Sequence, residues 1–356
     1  MKHNFVAKAN TFLSNCAEGA IDYRIMRHVK TLPPKIFHFP VTYRCNGRCV
    51  MCNIWKQGNE ELRIDEIEKM LNDRLFRTIE YVILTGGEPT LRRDLGEIAA
   101  LLVKYCPNLK SFSLTTNGLI PDDVVRSCKE ILEACEGTNI DFGCTVSLDG
   151  LNGYHDKVRG VKNAFERVVK TLSLLKELQK KEKFVLGTEA VATKYNIENF
   201  YSLREWLIEN ELKCHFSLAV FLKRNKNREL DFMLEGKYLQ QYIDFLEFLR
   251  KEGEWNSIYQ MFYKFFTQNK KRKNLCAWSV EAISINPNGD MSYCADSKTL
   301  GNIHNKTPSE IYYDKENLRY RKTLPKTLCY NCLHTTFMET TLLKQPLAYV
   351  KFKLNV

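Results

Sequence analysis

The sequence predicts an α/β fold, a partial (β/α)6 TIM-type barrel followed by a small α+β domain. Between residues 36 and 222, six β-prone segments alternate with helical patterns, as in a parallel sheet with helices packed outside it. Each glycine or cysteine motif of this region follows a predicted strand, and such loops carry function in barrels of this kind. From residue 274 onward, the pattern changes to a hairpin flanked by cysteines.

The predicted strands are bounded by glycine, proline and asparagine turns, and apolar side chains recur at helical spacing between them. The barrel strands are predicted at 36–43, 81–84, 109–115, 142–148, 184–192 and 213–220. The helices between them are predicted at 63–72, 94–105, 121–135, 164–179 and 197–210. Further helices are expected at 238–250, 259–266 and 308–313, and hairpin strands at 282–285 and 291–293.

These elements divide the chain into five predicted segments. They are a helical leader at 1–35, the barrel at 36–222, a helical bridge at 223–273, the cysteine-bearing domain at 274–335 and a tail at 336–356.

Composition excludes several classes of protein. No run of about 18 apolar residues occurs, so no membrane span is expected, and the first twenty residues lack the apolar core of a secretory signal. Thirteen cysteines without an export signal argue against a disulfide scaffold and favour a cytoplasmic location.

The net charge of +11 permits nucleic-acid binding. The lysine clusters at 180–183 and 270–273 instead favour a solvated surface, and a basic pocket would also suit anionic clusters or substrates.

Three closely spaced cysteines follow the first predicted strand. Cys45, Cys49 and Cys52 have three and then two residues between them. Three thiolates on one loop can hold three irons of a cubane cluster and leave the fourth iron open to a small molecule. A zinc knuckle with its fourth ligand elsewhere is the alternative, and the position after a first barrel strand favours the cluster.

Three later loops carry further motifs in the same order as their strands. They are Thr85-Gly86-Gly87-Glu88-Pro89, Thr116-Asn117-Gly118, and Ser147-Leu148-Asp149-Gly150 with His155-Asp156-Lys157-Val158-Arg159-Gly160 soon after. Each taken alone is a common β/α turn.

Together with the three cysteines, these motifs resemble the radical S-adenosylmethionine (SAM) superfamily. The resemblance implies that the cysteines bind a [4Fe-4S] cluster and that SAM chelates its open iron. Reduction would then cleave SAM to methionine and a 5′-deoxyadenosyl radical, which abstracts a substrate hydrogen. It also implies SAM contacts from Met51, Gly86, Gly87, Glu88, Thr116, Asn117, Ser147 and Arg159.

Two of these residues need comment. Met51 stands where the family more often has an aromatic residue, although methionine occurs there too. Arg159 is expected to face the SAM carboxylate, because a guanidinium fork matches a carboxylate geometrically.

A second cysteine set comprises Cys276, Cys294, Cys329 and Cys332. A turn at 286–290 would close a hairpin that brings the first two together. Spacing alone leaves open a four-cysteine zinc ribbon or a second cluster. The set resembles the SPASM/twitch auxiliary domain. Since no cysteine follows Cys332, it matches the shorter twitch form, which implies one fully ligated auxiliary [4Fe-4S] cluster.

The resemblance determines the type of chemistry better than the substrate. An auxiliary cluster that accepts the electron of a substrate radical would give net oxidation of a small molecule, such as a sugar or cyclitol alcohol. Maturation of a ribosomal peptide by crosslinking or epimerisation is the alternative, disfavoured because 35 leader residues are few for a peptide-recognition domain. A zinc-binding nucleic-acid protein is a third hypothesis, supported only by charge and cysteines.

The family also implies a flavodoxin or ferredoxin as electron donor. Oxygen-labile clusters require a reducing compartment, in agreement with a cytoplasmic location. No catalytic residue acting on the substrate is assigned. The candidates near strands five and six are Glu189, Tyr195, His215 and Arg224.

Overall fold

The computed structural model describes residues 31–272 and 276–334. Its largest element is a nine-stranded sheet in the order β6-β5-β4-β3-β2-β1-β7-β8-β9. The strands are β1 (Ile36–Thr42), β2 (Tyr81–Gly86), β3 (Ser111–Thr116), β4 (Asp141–Ser147), β5 (Val185–Ala192), β6 (Cys214–Leu218), β7 (Ala282–Ile285), β8 (Asp290–Ser292) and β9 (Gly301–Asn302).

Strands β1 to β6 pair in parallel. The sheet has two ends, at β6 and β9, which confirms an open, partial barrel. All six predicted barrel strands agree with the structure to within two residues at each end. The predicted hairpin is also confirmed, because β7 and β8 pair antiparallel, and the sheet order places it beside β1.

The helices of the sheet region are mostly those that the sequence predicts. They are α1 (Ile64–Leu71), α2 (Leu95–Tyr105), α3 (Pro121–Cys135), α4 (Gly153–Arg159), α5 (Ala164–Gln179) and α6 (Phe200–Glu209). Later helices are α7 (Lys237–Lys251), α8 (Ser257–Gln268), α9 (Trp278–Glu281), α10 (Pro308–Tyr312) and α11 (Lys315–Thr327).

The sequence pattern missed α4, α9 and α11. Helix α9 has only four residues. Helix α4 has only seven residues and opens on a glycine, so it is too short to show helical periodicity. Helix α11 contains Pro325 in its last turn, and proline in a helical pattern is read as a stop.

Burial differs between two strands that both lie inside the sheet. Every residue of β1 is buried, as expected for a central strand of a parallel sheet covered on both faces. Its Phe37 and Phe39 rings stack at 4.9 Å between centroids. Strand β3, in contrast, alternates buried and half-buried residues.

The chain forms two compact units. One comprises 34–245 and 283–312 and contains the sheet. The described residues of the other fall within 31–33, 246–272, 276–282 and 313–334. Inside that second unit, Arg321 donates to the carbonyl oxygens of Ser279 and Val280. The predicted leader and tail lie almost wholly outside the described residues, and the segment boundaries stay predictions.

Among the described helices, none combines the length and the apolar character needed to cross a lipid bilayer.

Candidate functional site

The three cysteines of the first loop lie at the carboxyl edge of the sheet, directly after β1. Cys45, Cys49 and Cys52 are half-buried free thiols. A methyl group added at Gly47 would lie 3.5 Å from Sγ of Cys49 and 3.7 Å from Sγ of Cys45. These two sulfurs therefore border the same small space, as neighbouring ligands of one cluster must.

Hydrogen-bond donors of the protein lie near the sulfurs of Cys45 and Cys49. The Gly47 N–H lies 3.4 Å from Sγ of Cys45, and the Asn117 amide lies 3.8 Å from the same atom. The Arg159 guanidinium lies 3.8 Å from Sγ of Cys49. Hydrogen bonds to ligand sulfurs stabilise thiolates and tune the potential of a cluster, so the loop is built to hold sulfur in its anionic form.

Without a cation, however, the thiols stay protonated. Burial raises the pKa of Cys45 to about 12 and that of Cys52 to about 11, with a further contribution from the nearby Cys49. Coordinated iron offsets this cost, because a ligating thiol is deprotonated by its metal. The residues of this loop therefore fit an iron–sulfur cluster.

A single metal ion and a cubane cluster make different geometric demands on their ligands. Within residues 31–272 and 276–334, no group of three or more His, Cys, Asp or Glu side chains could hold one metal ion. Tetrahedral zinc requires its thiolates to converge on a single atom. A [4Fe-4S] cluster spreads its thiolates over separate irons, so its ligands need not converge.

The loop after β2 packs against the start of the cysteine loop. A Cβ at Gly86 would lie 2.4 Å from the Thr42 carbonyl oxygen, and one at Gly87 would lie 2.2 Å from that of Arg44. Both positions therefore require glycine for contacts within the protein. Their predicted contact with SAM stays a prediction.

Glu88 joins the loops after β2 and β3. It is buried, and its Oε1 accepts from the Thr90 N–H at 3.2 Å, the Thr90 hydroxyl at 2.7 Å and the Thr116 hydroxyl at 2.8 Å. Its Oε2 accepts from the Asn117 N–H at 2.6 Å. The Asn117 side chain in turn donates to Asn46 at 2.7 Å. Glu88 thus holds the loops after β2 and β3 in place, and its predicted contact with SAM stays a prediction.

We expect Glu88→Gln to lower the free energy of unfolding of the apoprotein by about 1–3 kcal/mol. The new amide must turn its N–H2 towards either the Asn117 N–H or the donors at Oε1, so one buried donor loses its acceptor. Urea denaturation followed by circular dichroism measures the change. Glu133→Gln, on the exposed side of α3, is the control and should stay within about 0.5 kcal/mol. Equal stabilities of the two variants would contradict the role of Glu88.

The loop after β4 supplies a buried ion pair. Nε of Arg159 lies 2.6 Å from Oδ2 of Asp149, and the two side chains are 9% and 0% exposed. Burial lowers the pKa of Arg159, but the charges of Asp149 and Cys49 more than offset this and hold it above its ordinary value. Arg159 therefore has two partners inside the protein, and its predicted contact with the SAM carboxylate stays a prediction.

Backbone contacts hold the end of α4 against the cysteine loop. The Arg48 N–H donates to the Arg159 carbonyl at 2.8 Å, and the Val50 N–H donates to that of Val158 at 2.9 Å. A Cβ at Gly160 would lie 2.3 Å from the Arg48 carbonyl oxygen, at a positive φ of 62°. Only glycine can adopt this backbone without strain while the two segments are so close.

Met51 and Ser147 occupy different environments. Met51 is buried in an apolar cluster with Val158, Ala219 and Phe232. Ser147 ends β4, is half-buried and faces Glu189 in the register of β5. Their predicted contacts with SAM stay predictions.

The second cysteine set is divided between the two units. Cys276, Cys329 and Cys332 belong to one unit, and Cys294 belongs to the other. In the unit that contains Cys276, the Arg272 N–H donates to the Tyr330 carbonyl at 3.1 Å and so anchors the loop that carries Cys329 and Cys332. The joint ligation of a cluster by these four residues stays a prediction.

The four substrate-site candidates occupy the following positions. Glu189 and His215 are register partners on β5 and β6. Tyr195 lines a cavity of about 760 Å³ together with Lys157 and Lys194. Arg224 follows β6, and its side chain lies against the His38 ring.

Sequence reasoning missed two residues that organise the site. Asp149 is part of a predicted motif, but nothing marked it as the partner of Arg159. Asn227 donates 2.8 Å to the Met51 carbonyl and 3.0 Å to that of Val220, and lies in a charged stretch with no motif. A lone polar residue amid charges gives no signal of being buried.

An open barrel with three thiols at the end of its first strand defines a class of proteins that hold an iron–sulfur cluster beside a bound small molecule. Residues 39–207 match the family model described as the Radical SAM superfamily, and residues 276–333 match SPASM, described as an iron-sulfur cluster-binding domain. The chain therefore carries a radical SAM domain and a SPASM domain. These domains imply a [4Fe-4S] cluster, SAM and auxiliary iron–sulfur ligation, which confirms the cofactor predictions.

Three relatives have named activities. Fe-coproporphyrin III synthase of Methanosarcina barkeri is 28% identical over 65% of this chain and 58% of that protein. A probable GTP 3′,8-cyclase of Sulfurisphaera tokodaii is 29% identical over 45% of this chain and 50% of that protein. The GTP 3′,8-cyclase of Klebsiella pneumoniae is 34% identical over 35% and 40%. The chain thus spans less than two thirds of the length of each relative.

Solved structures share the fold. The chain matches native anSMEcpe with bound AdoMet and the Cp18Cys peptide at a TM-score of 0.60 and 20% identity, over 87% of each chain. It matches Streptococcus suis SuiB bound to S-adenosylmethionine at a TM-score of 0.59 and 16% identity, over 90% of this chain and 77% of that one. At these identities the likeness establishes the fold alone.

Proposed function

We propose that this chain is a radical SAM oxidoreductase that acts on a small molecule. The observation that carries the proposal is the position of Cys45, Cys49 and Cys52 at the carboxyl edge of the sheet, with donors from two later loops on their sulfurs. When bound, the reduced cluster supplies the electron that cleaves SAM to methionine and a 5′-deoxyadenosyl radical, which takes a hydrogen atom from the substrate.

The residues around the cysteine loop hold it in position and place hydrogen-bond donors and a positive charge near its sulfurs. Glu88 holds Thr116 and Asn117 in place, and Asn117 in turn contacts Cys45. Asp149 orients Arg159, whose guanidinium faces Cys49. Fixed donors around a buried reaction centre stabilise charge without reorganising, which is the main electrostatic contribution that a protein makes.

The named relatives support a small-molecule substrate. One is named for an iron porphyrin and the others for GTP, which contains a ribose. We propose the oxidation of a sugar-like or cyclitol-like secondary alcohol to a ketone. The alcohol carbon would lose a hydrogen atom to the 5′-deoxyadenosyl radical, which becomes 5′-deoxyadenosine. The hydroxyl would lose a proton, and the auxiliary cluster would accept the remaining electron. Maturation of a peptide is the alternative outcome of the same test.

A labelled-substrate assay tests this proposal. The anaerobically purified enzyme is reduced and incubated with SAM and a panel of deuterated sugars, cyclitols and peptides. Transfer of deuterium from an alcohol carbon into 5′-deoxyadenosine, with formation of the ketone, is the expected result. Deuterium from a peptide alone would establish the alternative, and a colourless protein that holds zinc and no iron would exclude radical chemistry.

We expect Cys329→Ala/Cys332→Ala to retain part of the SAM cleavage and to form no oxidised product. The three cysteines of the first loop remain, whereas the electron acceptor loses two ligands. Counting 5′-deoxyadenosine and product in the same reaction separates the two effects. Cys135→Ala, at the end of α3, is the control and should leave both unchanged. Normal product from the double variant would contradict the auxiliary role.

We also propose a cytoplasmic location and a flavodoxin or ferredoxin as electron donor. Both proposals rest on the chemistry of low-potential clusters, which need a reducing compartment and a one-electron donor.

A further inference from the structure

A short segment after β6, residues 223–226, connects the two cysteine-bearing loops of the larger unit. We call it the inter-loop strap. On one side it meets the residues that follow Cys52. The Asn53 N–H donates to the Asn225 carbonyl at 2.9 Å, the Asn53 side chain donates to that of Lys226 at 3.3 Å, and Gln57 donates to that of Arg224.

On its other side, the strap meets the residues that follow Cys294. The Arg224 N–H donates to the Ala295 carbonyl at 3.1 Å, and the Lys223 N–H donates to the Asp296 carboxylate at 3.1 Å. One four-residue segment is therefore hydrogen-bonded to the chain directly after a ligand of the first predicted cluster and directly after a ligand of the second.

The side chain of Arg224 lies within this arrangement. Its Nη1 is 3.1 Å and 3.0 Å from the two ring nitrogens of His38. Its Nε has almost no exposed surface, and no atom of the described residues accepts a hydrogen bond from it. His38 in turn contacts Ser284 Oγ at 2.9 Å.

Arg224 is half-buried, and the ionisable groups that act on it are unusual for an arginine. Burial lowers its pKa, and the groups that oppose this effect are Cys52, Tyr43 and Cys294. No carboxylate of the described residues is among them. A cation partly withdrawn from water is stabilised by a counter-charge, and thiolates at Cys52 and Cys294 would supply that charge once iron binds them.

We propose that Arg224 is the shared counter-charge of Cys52 and Cys294 and raises the reduction potentials of the iron–sulfur clusters that these residues ligate. The proposal rests on the ligand roles in the proposed function. Each cluster gains one electron on reduction without a proton, so its charge becomes more negative by one. A nearby fixed positive charge stabilises that state and makes reduction easier.

A redox titration of the holoenzyme tests the proposal. Wild type, Arg224→Gln and Arg224→Lys are reconstituted with iron and sulfide under anaerobic conditions and titrated with dithionite, and electron paramagnetic resonance records the reduced clusters. Titration with and without SAM assigns the signals, because SAM alters only the cluster with an open iron. Arg228→Gln, an exposed arginine nearby, is the matched control.

We expect the SAM-responsive signal of Arg224→Gln to titrate at a more negative potential than in wild type, and the second signal to shift in the same direction. Arg224→Lys should shift less because it keeps the charge, and Arg228→Gln should not shift. Unchanged potentials in a fully loaded Arg224→Gln protein would overturn the proposal. Wild type without iron would instead overturn the proposed function.

Measurements of iron content and circular dichroism show whether each variant folds and binds its clusters. If Arg224→Gln does not load, Arg224→Met, which fills the same space without a polar group, replaces it in the titration. Loading of Arg224→Lys but of neither neutral variant would support a required counter-charge. Loss of iron in all three variants, with Arg228→Gln normal, would show a purely structural residue and overturn the proposal.

Discussion

Replacement of Cys45, Cys49 and Cys52 together by alanine should abolish SAM cleavage. Each thiolate holds one iron of the cluster, and without them no open iron is present to chelate SAM. High-performance liquid chromatography of 5′-deoxyadenosine after dithionite reduction measures the effect. We expect no 5′-deoxyadenosine above background. Bound iron should fall from about eight atoms per chain to about four, because one of the two cubane clusters is lost.

The control for this variant removes the same number of cysteines from elsewhere. Cys106, Cys128 and Cys135 are buried, and buried free cysteines behave as small hydrophobic residues. Their joint replacement by alanine should leave iron content and SAM cleavage at wild-type levels. SAM cleavage by the first variant, or its loss in the control, would contradict the assignment of the cluster loop.

The sequence predicted the parts of the site that depend on local pattern and on the sheet. The first three thiols share one loop, and the ends of parallel strands meet at one edge. Order along the chain therefore determines which loops lie near each other. The contact of Asn117 with the Cys45 loop is a consequence of this rule.

Which side chains contact each other at that edge of the sheet could not be predicted, because the packing of segments distant in sequence determines these contacts. Arg159 is an obvious anion-binding residue in sequence, but the pattern does not say which acid it meets. The strap around Arg224 resembles an ordinary charged linker, and only the positions of Asn53 and Ala295 show what it joins. Short helices such as α4 escape prediction for the related reason that tertiary packing, rather than their own periodicity, stabilises them.

A large loss of stability is expected when the buried ion pair of Asp149 and Arg159 is broken. We expect Asp149→Asn to lower the free energy of unfolding of the apoprotein by about 3–5 kcal/mol, because it leaves the Arg159 charge buried without its partner. Asp149 also accepts the Val191 N–H at 2.9 Å, and an asparagine oxygen can keep that bond, so the loss should come mainly from the ion pair. Asp141→Asn, at an exposed position at the start of β4, should change stability by less than about 0.5 kcal/mol.

A double-mutant cycle distinguishes the pair from two independent structural residues. If the charges compensate each other, Asp149→Asn/Arg159→Met should be more stable than the sum of the single variants predicts, since the second change removes the unpaired cation. Additive losses would contradict the pairing. Because Arg159 also contacts Cys49, Arg159→Met and the double variant should both retain less iron than wild type after a desalting step. The cycle thus separates the contribution of Arg159 to folding from its contribution to the metal centre.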